Sequence, residues 1–141
     1  MKRFSQLLCL VLVLAMIMVI PAQAAEMSSR ASDFFGRRSC YLWRVSDSEI
    51  QVWFDVTAVR TMTELGVSEI RVQRSTNAVN WTTVRTYYKA NYPQMICANT
   101  AGHAGYVSFT PEAGYYYRAY VEFYAKDSTG TAVYPDYTSY I

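Results

Sequence analysis

The chain has one histidine, so any Ser–His–Asp or Cys–His arrangement would have to be built on His103. Its neighbours, Thr100-Ala101-Gly102-His103-Ala104-Gly105, are small and loop-like, with no nucleophile motif or acid among them. An ordinary exposed loop histidine is the expectation. The carboxylates are scattered: Asp47 and Glu49 near one turn, Glu64 and Glu69 near a loop, Asp127 and Asp136 near the last hairpin. Two carboxylates can hydrolyse a glycoside only at a fixed separation in a cleft. No glycine-rich phosphate loop or calcium-loop spacing is present. These residues predict no catalysis and no cofactor.

Of the three cysteines, Cys9 lies in an apolar run, which leaves Cys40 and Cys97. Neither has Cys-x-x-Cys spacing, and a lone His103 cannot complete a zinc site with them, so no metal is expected. In an exported chain such a pair reads as a disulfide. It would close a loop worth about 4 kcal/mol in the chain-entropy model.

Export itself is read from the start of the chain. Met1-Lys2-Arg3 is followed by an apolar run from Leu7 to Ile20 and then Ala22-Gln23-Ala24. A charged head, a short apolar segment and an Ala-x-Ala site predict a signal peptide cleaved after Ala24 and a secreted product. The run is short for a membrane span, so no membrane contact is expected after cleavage. Of the 13 basic residues, Lys2 and Arg3 would leave with the peptide, and the rest balance the 11 acidic ones. Only Lys89 and Lys126 remain among lysines, with no basic block, so a nucleic-acid partner is not expected. All 13 tyrosines lie beyond Ala24.

Residues 25–38 are polar apart from Phe34-Phe35 and read as a leader that docks loosely or not at all. After it the apolar pattern alternates with period two. Expected strands are 39–45, 49–59, 67–74, 81–88, 105–110, 115–124 and 132–141. Ile50, Val52, Phe54 and Val56 face inward in the second, Ile70 and Val72 in the third, and Val84 in the fourth. Val107 and Phe109 do so in the fifth, and Tyr115, Tyr117, Ala119, Val121 and Phe123 in the sixth. Residues 60–66 read as a loop with at most one helical turn, and Lys89–Gly105 as a long irregular loop tethered by Cys97. Pro135 suits an edge strand. Seven alternating strands joined by polar turns predict one all-β domain over 39–141, an antiparallel β-sandwich.

Phe109-x-Pro111-Glu112-Ala113-Gly114-Tyr115 resembles the fibronectin type III pattern Leu-x-Pro-Gly-Thr-x-Tyr, with Tyr115 on the corner tyrosine. Ile70 to Asn77 with Trp81 to Val84 is similar to the third strand, turn and fourth strand of that family. Phe54 stands where the family has its core tryptophan, and Trp53 would face outward. The resemblance implies a seven-stranded fibronectin type III/immunoglobulin-like sandwich. It implies little about role, because this fold hosts many unrelated binding functions. The whole chain also resembles small exported bacterial proteins of unassigned function.

If the third, fourth, sixth and seventh strands share a sheet, parity gives an outward face. It holds Arg71 and Gln73, then Thr83, Arg85 and Tyr87, then Tyr116, Arg118, Tyr120, Glu122 and Tyr124. Tyr and Arg are enriched at binding hot spots, and tyrosines can stack on sugar rings. The same residues also serve simply as cross-strand pairs. The expectation is a secreted binding module for an extracellular protein or glycan, through Arg71, Arg85, Tyr87, Tyr116, Arg118, Tyr120 and Tyr124. The alternative is a structural or self-associating protein that adds strands along its last strand, with Tyr134, Tyr137 and Tyr140.

Overall fold

Two alternating apolar series, Ile50/Val52/Phe54/Val56 and Ile70/Val72, belong to one strand. The computed structural model describes Ala31 and residues 33–141; the expected signal peptide and residues 25–30 and 32 of the leader lie outside them. The elements are β1 (Phe35–Ser46), β2 (Glu49–Ser75), β3 (Thr82–Tyr88), β4 (Ile96–Phe109), β5 (Tyr116–Asp127) and β6 (Gly130–Tyr137), with a 3-10 turn at Pro93–Met95 before β4.

The 27-residue β2 runs through the segment expected to be a loop. No glycine or proline interrupts it before Gly66, Met62 pairs with β4, and Glu64 to Gly66 have partner strands on both edges to take up their backbone groups. Met62 and Leu65 are fully buried there. The two strands expected at 49–59 and 67–74 therefore fuse, and the domain has six strands instead of seven. On one edge of β2 lie β1 and β5, end to end; on the other lie β3 and β4; β6 pairs outside β5. All pairings are antiparallel.

Straight, such a strand would be about 90 Å long, several times the ~13 Å radius of gyration of a domain near this size. It must curl to bury its apolar face. Residues 58–61 of β2 stand out of register between the pairs Thr57↔Gly102 and Met62↔Thr100, and Ser68 is an extra residue between Val67↔Phe123 and Glu69↔Glu122. Bulges of this kind bend a strand and increase its twist. Gly66, at φ +154°, lets the backbone of Met95 cross it: a Cβ there would stand 2.0 Å from the Met95 carbonyl oxygen. The result is one continuous antiparallel sheet curled into a half-barrel, where two separate sheets were expected.

The core lies inside the curl. Tyr117, Ala119, Val121, Phe123 and Ala125 of β5 face Ile50, Val52, Phe54 and Val56 of β2 and Val107 and Phe109 of β4, all buried. Phe109 and Tyr117 meet across the interior with ring centroids 5.2 Å apart. The leader ends in this core as well: Phe34 and Phe35 are buried, and Phe35 opens β1. The sheet's outer strands approach each other through side chains, with the Arg38 guanidinium 3.9 Å above the ring of Tyr134.

The tyrosine that bonds back to the 111–114 turn is Tyr117, where Tyr115 was expected. Its hydroxyl accepts a hydrogen bond from the Glu112 backbone N–H at 2.8 Å. Tyr115 precedes β5 and is only partly buried, beneath the Arg74 guanidinium.

Candidate binding face

β3, β2, β5 and β6 lie side by side, so their outward residues pave one convex face. Register brings Arg71 opposite Tyr120, Gln73 opposite Arg118, and Tyr120 opposite Tyr137. The Arg71 guanidinium sits 4.4 Å over the Tyr120 ring and pairs with Glu69 at 2.6 Å. That bond holds its pKa above the ordinary arginine value. Tyr120 is pushed up by burial and by the charge of Glu122, to which it donates a hydrogen bond at 3.2 Å. Lys89 lies 3.6 Å over the Tyr124 ring and 3.0 Å from Glu64.

Arg118 is held differently. Its guanidinium is flanked by the rings of Trp81, at 4.5 Å, and Tyr137, at 4.7 Å. Its Nε donates to Gln73 Oε1 at 2.8 Å. Among the described residues no carboxylate lies within ion-pair distance of it, whereas Arg71 and Lys89 on the same face each hold one. Tyr140 closes the row, with its ring 6.0 Å from Trp81 and 5.7 Å from Tyr116.

Five of the seven expected residues thus share this face: Arg71, Tyr116, Arg118, Tyr120 and Tyr124. Arg85 and Tyr87 do not. Val84 is an extra residue in β3, between Val72↔Arg85 and Gln73↔Thr83, which reverses parity beyond it. Val84 is therefore 44% exposed and Tyr87 only 3%. The Tyr87 hydroxyl donates to the Ser108 carbonyl at 2.8 Å, and burial raises its pKa. With Arg85, Tyr92, Gln94 and Gly105 it lines an open cleft of about 490 Å³ between β3 and β4. Trp81, Tyr137 and Tyr140 were absent from the expected set. Trp81 immediately precedes β3, and the other two belong to the segment read as an edge; only the folded sheet brings Trp81 and Tyr137 to Arg118 and Tyr140 to Trp81.

The expected Cys40–Cys97 bridge is not formed, and both thiols are free. Cys40 pairs with Phe54 on one edge of β2, and Cys97 pairs with Leu65 on the other. From Gly105, opposite Phe54, to Cys97 the chain runs about 26 Å along β4, while a disulfide needs Cα atoms within ~7 Å. Burial, and then the charge of Asp136, push the Cys40 thiol up to about 12. His103 lies on β4 instead of in a loop. Its Nε2 is 2.9 Å from the Gln94 carbonyl oxygen, and its ring packs 5.4 Å from Phe54. Among the described residues no cluster of three His, Cys, Asp or Glu could hold a metal ion, and no helix is long and apolar enough to cross a membrane.

No protein family matches the chain, and no curated protein matches it. A crystal structure of a protein from Archaeoglobus fulgidus is similar over 76% of this chain and 95% of that one, at 10% sequence identity and a TM-score of 0.35.

Proposed function

We propose that the chain is a secreted, non-catalytic binding module whose convex face grips an acidic side chain of a protein partner. The supporting observation is Arg118. Its guanidinium is clamped between two aromatic rings and oriented by Gln73, with no carboxylate of its own among the described residues. A guanidinium held this way loses little rotamer freedom on binding and offers parallel N–H donors that match a carboxylate. Around it Trp81, Tyr116, Tyr120 and Tyr137 supply the aromatic rim found at binding hot spots. The resemblance to fibronectin type III domains is compatible with such a role and does not specify it.

The test is capture by the 25–141 chain on arrayed extracellular proteins and glycans, compared with Arg118→Ala and Tyr120→Ala. Wild-type capture on protein spots that is lost in both variants, at unchanged melting temperature, is the expected result. Capture on protein spots that survives both changes refutes the assignment. A concentration-dependent mass in light scattering would favour self-association instead.

A further inference from the structure

A second aromatic surface lies on the outer side of the other half of the sheet, where β1, β2 and β4 pair. Tyr41, Trp53 and Tyr106 stand opposite one another in register, and Trp43 pairs with Gln51 in the next row. The Tyr41 and Trp53 rings are parallel to within 2° at 6.2 Å, and Trp53 and Tyr106 are 4.7 Å apart. Tyr41 is 48% exposed, Trp43 59% and Tyr106 44%. Tyr41, Trp43, Gln51 and Trp53 line a shallow open groove of about 270 Å³. None of these residues belongs to the Arg118 face, and large rings left open on a small domain mark an interaction site.

The polar groups in the groove discriminate among occupants. Gln51 is fixed at both ends: its Oε1 accepts from Trp53 Nε1 at 2.9 Å, and its Nε2 donates to Glu49 Oε1 at 3.0 Å. One amide N–H, one lone pair on Oε1 and the other carboxylate oxygen of Glu49 remain for a ligand. The groove therefore offers acceptors, one of them charged, beside apolar rings. A proline-rich strand has few N–H groups to give them. An anionic ligand would meet Glu49, and Arg37, four residues before Tyr41 along β1, is already paired with Asp55 at 2.6 Å. The ring surface on offer is about 300 Å², well short of the ~800 Å² per partner that a stable protein interface buries. A neutral sugar fits all of these conditions, because it has apolar C–H faces for the rings and many O–H donors at its edge. The row of rings spans three strands, roughly 10 Å, which suits a chain of sugars over a single one.

We infer that the Tyr41–Trp43–Gln51–Trp53 groove is a binding site for a neutral oligosaccharide or polysaccharide. The test is native affinity electrophoresis of the 25–141 chain in gels containing barley β-glucan, soluble starch or glycol chitin. Retardation in at least one gel is expected, undiminished by added salt. Trp43→Ala and Gln51→Leu should each weaken it by about tenfold or more, whereas Arg118→Ala leaves it unchanged. Both Trp43 and Gln51 point to solvent, and a thermal melt of each variant confirms folding. No retardation in any gel overturns the inference, as does equal retardation of Trp43→Ala. So does decaproline binding that Gln51→Leu strengthens, since that would identify an apolar peptide groove. The protein array fails or succeeds independently, because it reads Arg118.

Discussion

Removing one hydroxyl tests how β5 is anchored. In Tyr117→Phe the ring stays packed against Phe109, and only the bond from the Glu112 N–H is lost. The second contact, from the hydroxyl to the Glu112 carbonyl at 3.4 Å, is too long to add much. Glu112 is exposed, so its freed N–H can turn to water and the penalty for an orphaned donor is small. The cost is therefore that of one net hydrogen bond, about 1 kcal/mol. For a domain near 100 residues this lowers Tm by about 4–8 °C. Tyr115→Phe is the control. Among the described residues its hydroxyl makes no hydrogen bond, and Arg74 sits 4.4 Å above a ring that phenylalanine keeps. That change should stay within about 0.5 kcal/mol. Urea unfolding followed by tryptophan fluorescence, with an unchanged m value, reads both differences. If Tyr115→Phe costs as much as Tyr117→Phe, or if Tyr117→Phe costs nothing, the corner is not closed by Tyr117.

Three further outcomes follow from the geometry. Gly66→Ala must place a methyl against the Met95 carbonyl at an unfavourable φ, so it should cost about 3 kcal/mol or more; a near-native urea midpoint contradicts the crossing of β2 by the 3-10 turn. Val84→Thr should be neutral within about 0.5 kcal/mol while Tyr87→Ala costs about 3–5 kcal/mol, and the reverse order in thermal melts would restore the uninterrupted parity of β3. Bonds from Thr129, and then from Arg60, hold the Asp127 carboxyl down at about 2, below its usual 3.8. The folded form is the stronger acid, so this contribution is complete above pH 3.8 and fades as pH falls toward 2. Asp127→Asn should lower Tm at pH 7 and flatten its decline over that window; an acid limb identical to wild type refutes the coupling.

The all-β class was legible because alternation is a local property. A residue two positions along a strand faces the same side whatever the rest of the chain does. Ile50 to Val56, Ile70, Val72 and Tyr117 to Phe123 were read correctly on that ground alone. Alternation alone did not say which strands are neighbours: the shared sheet of the third, fourth, sixth and seventh expected strands was a supposition, and the pairing of β2 with β3 and β5, and of β5 with β6, supplies it.

Three matters were decided only in the folded chain, and each turns on pairing. Residues 60–66 look like a loop, yet Met62 pairs with β4 and Glu64 to Gly66 pair with both β4 and β5, which keeps the strand going and joins the sheet into a half-barrel. The single extra residue at Val84 carries Tyr87 into the interior, because a bulge exists only relative to a partner strand. Arg118 met Trp81 and Tyr137, and Tyr41 met Trp53 and Tyr106, through register between segments distant in sequence. The amino-acid pattern determined which side each residue takes along its own strand; the hydrogen-bond register determined its neighbours, and with them the sites.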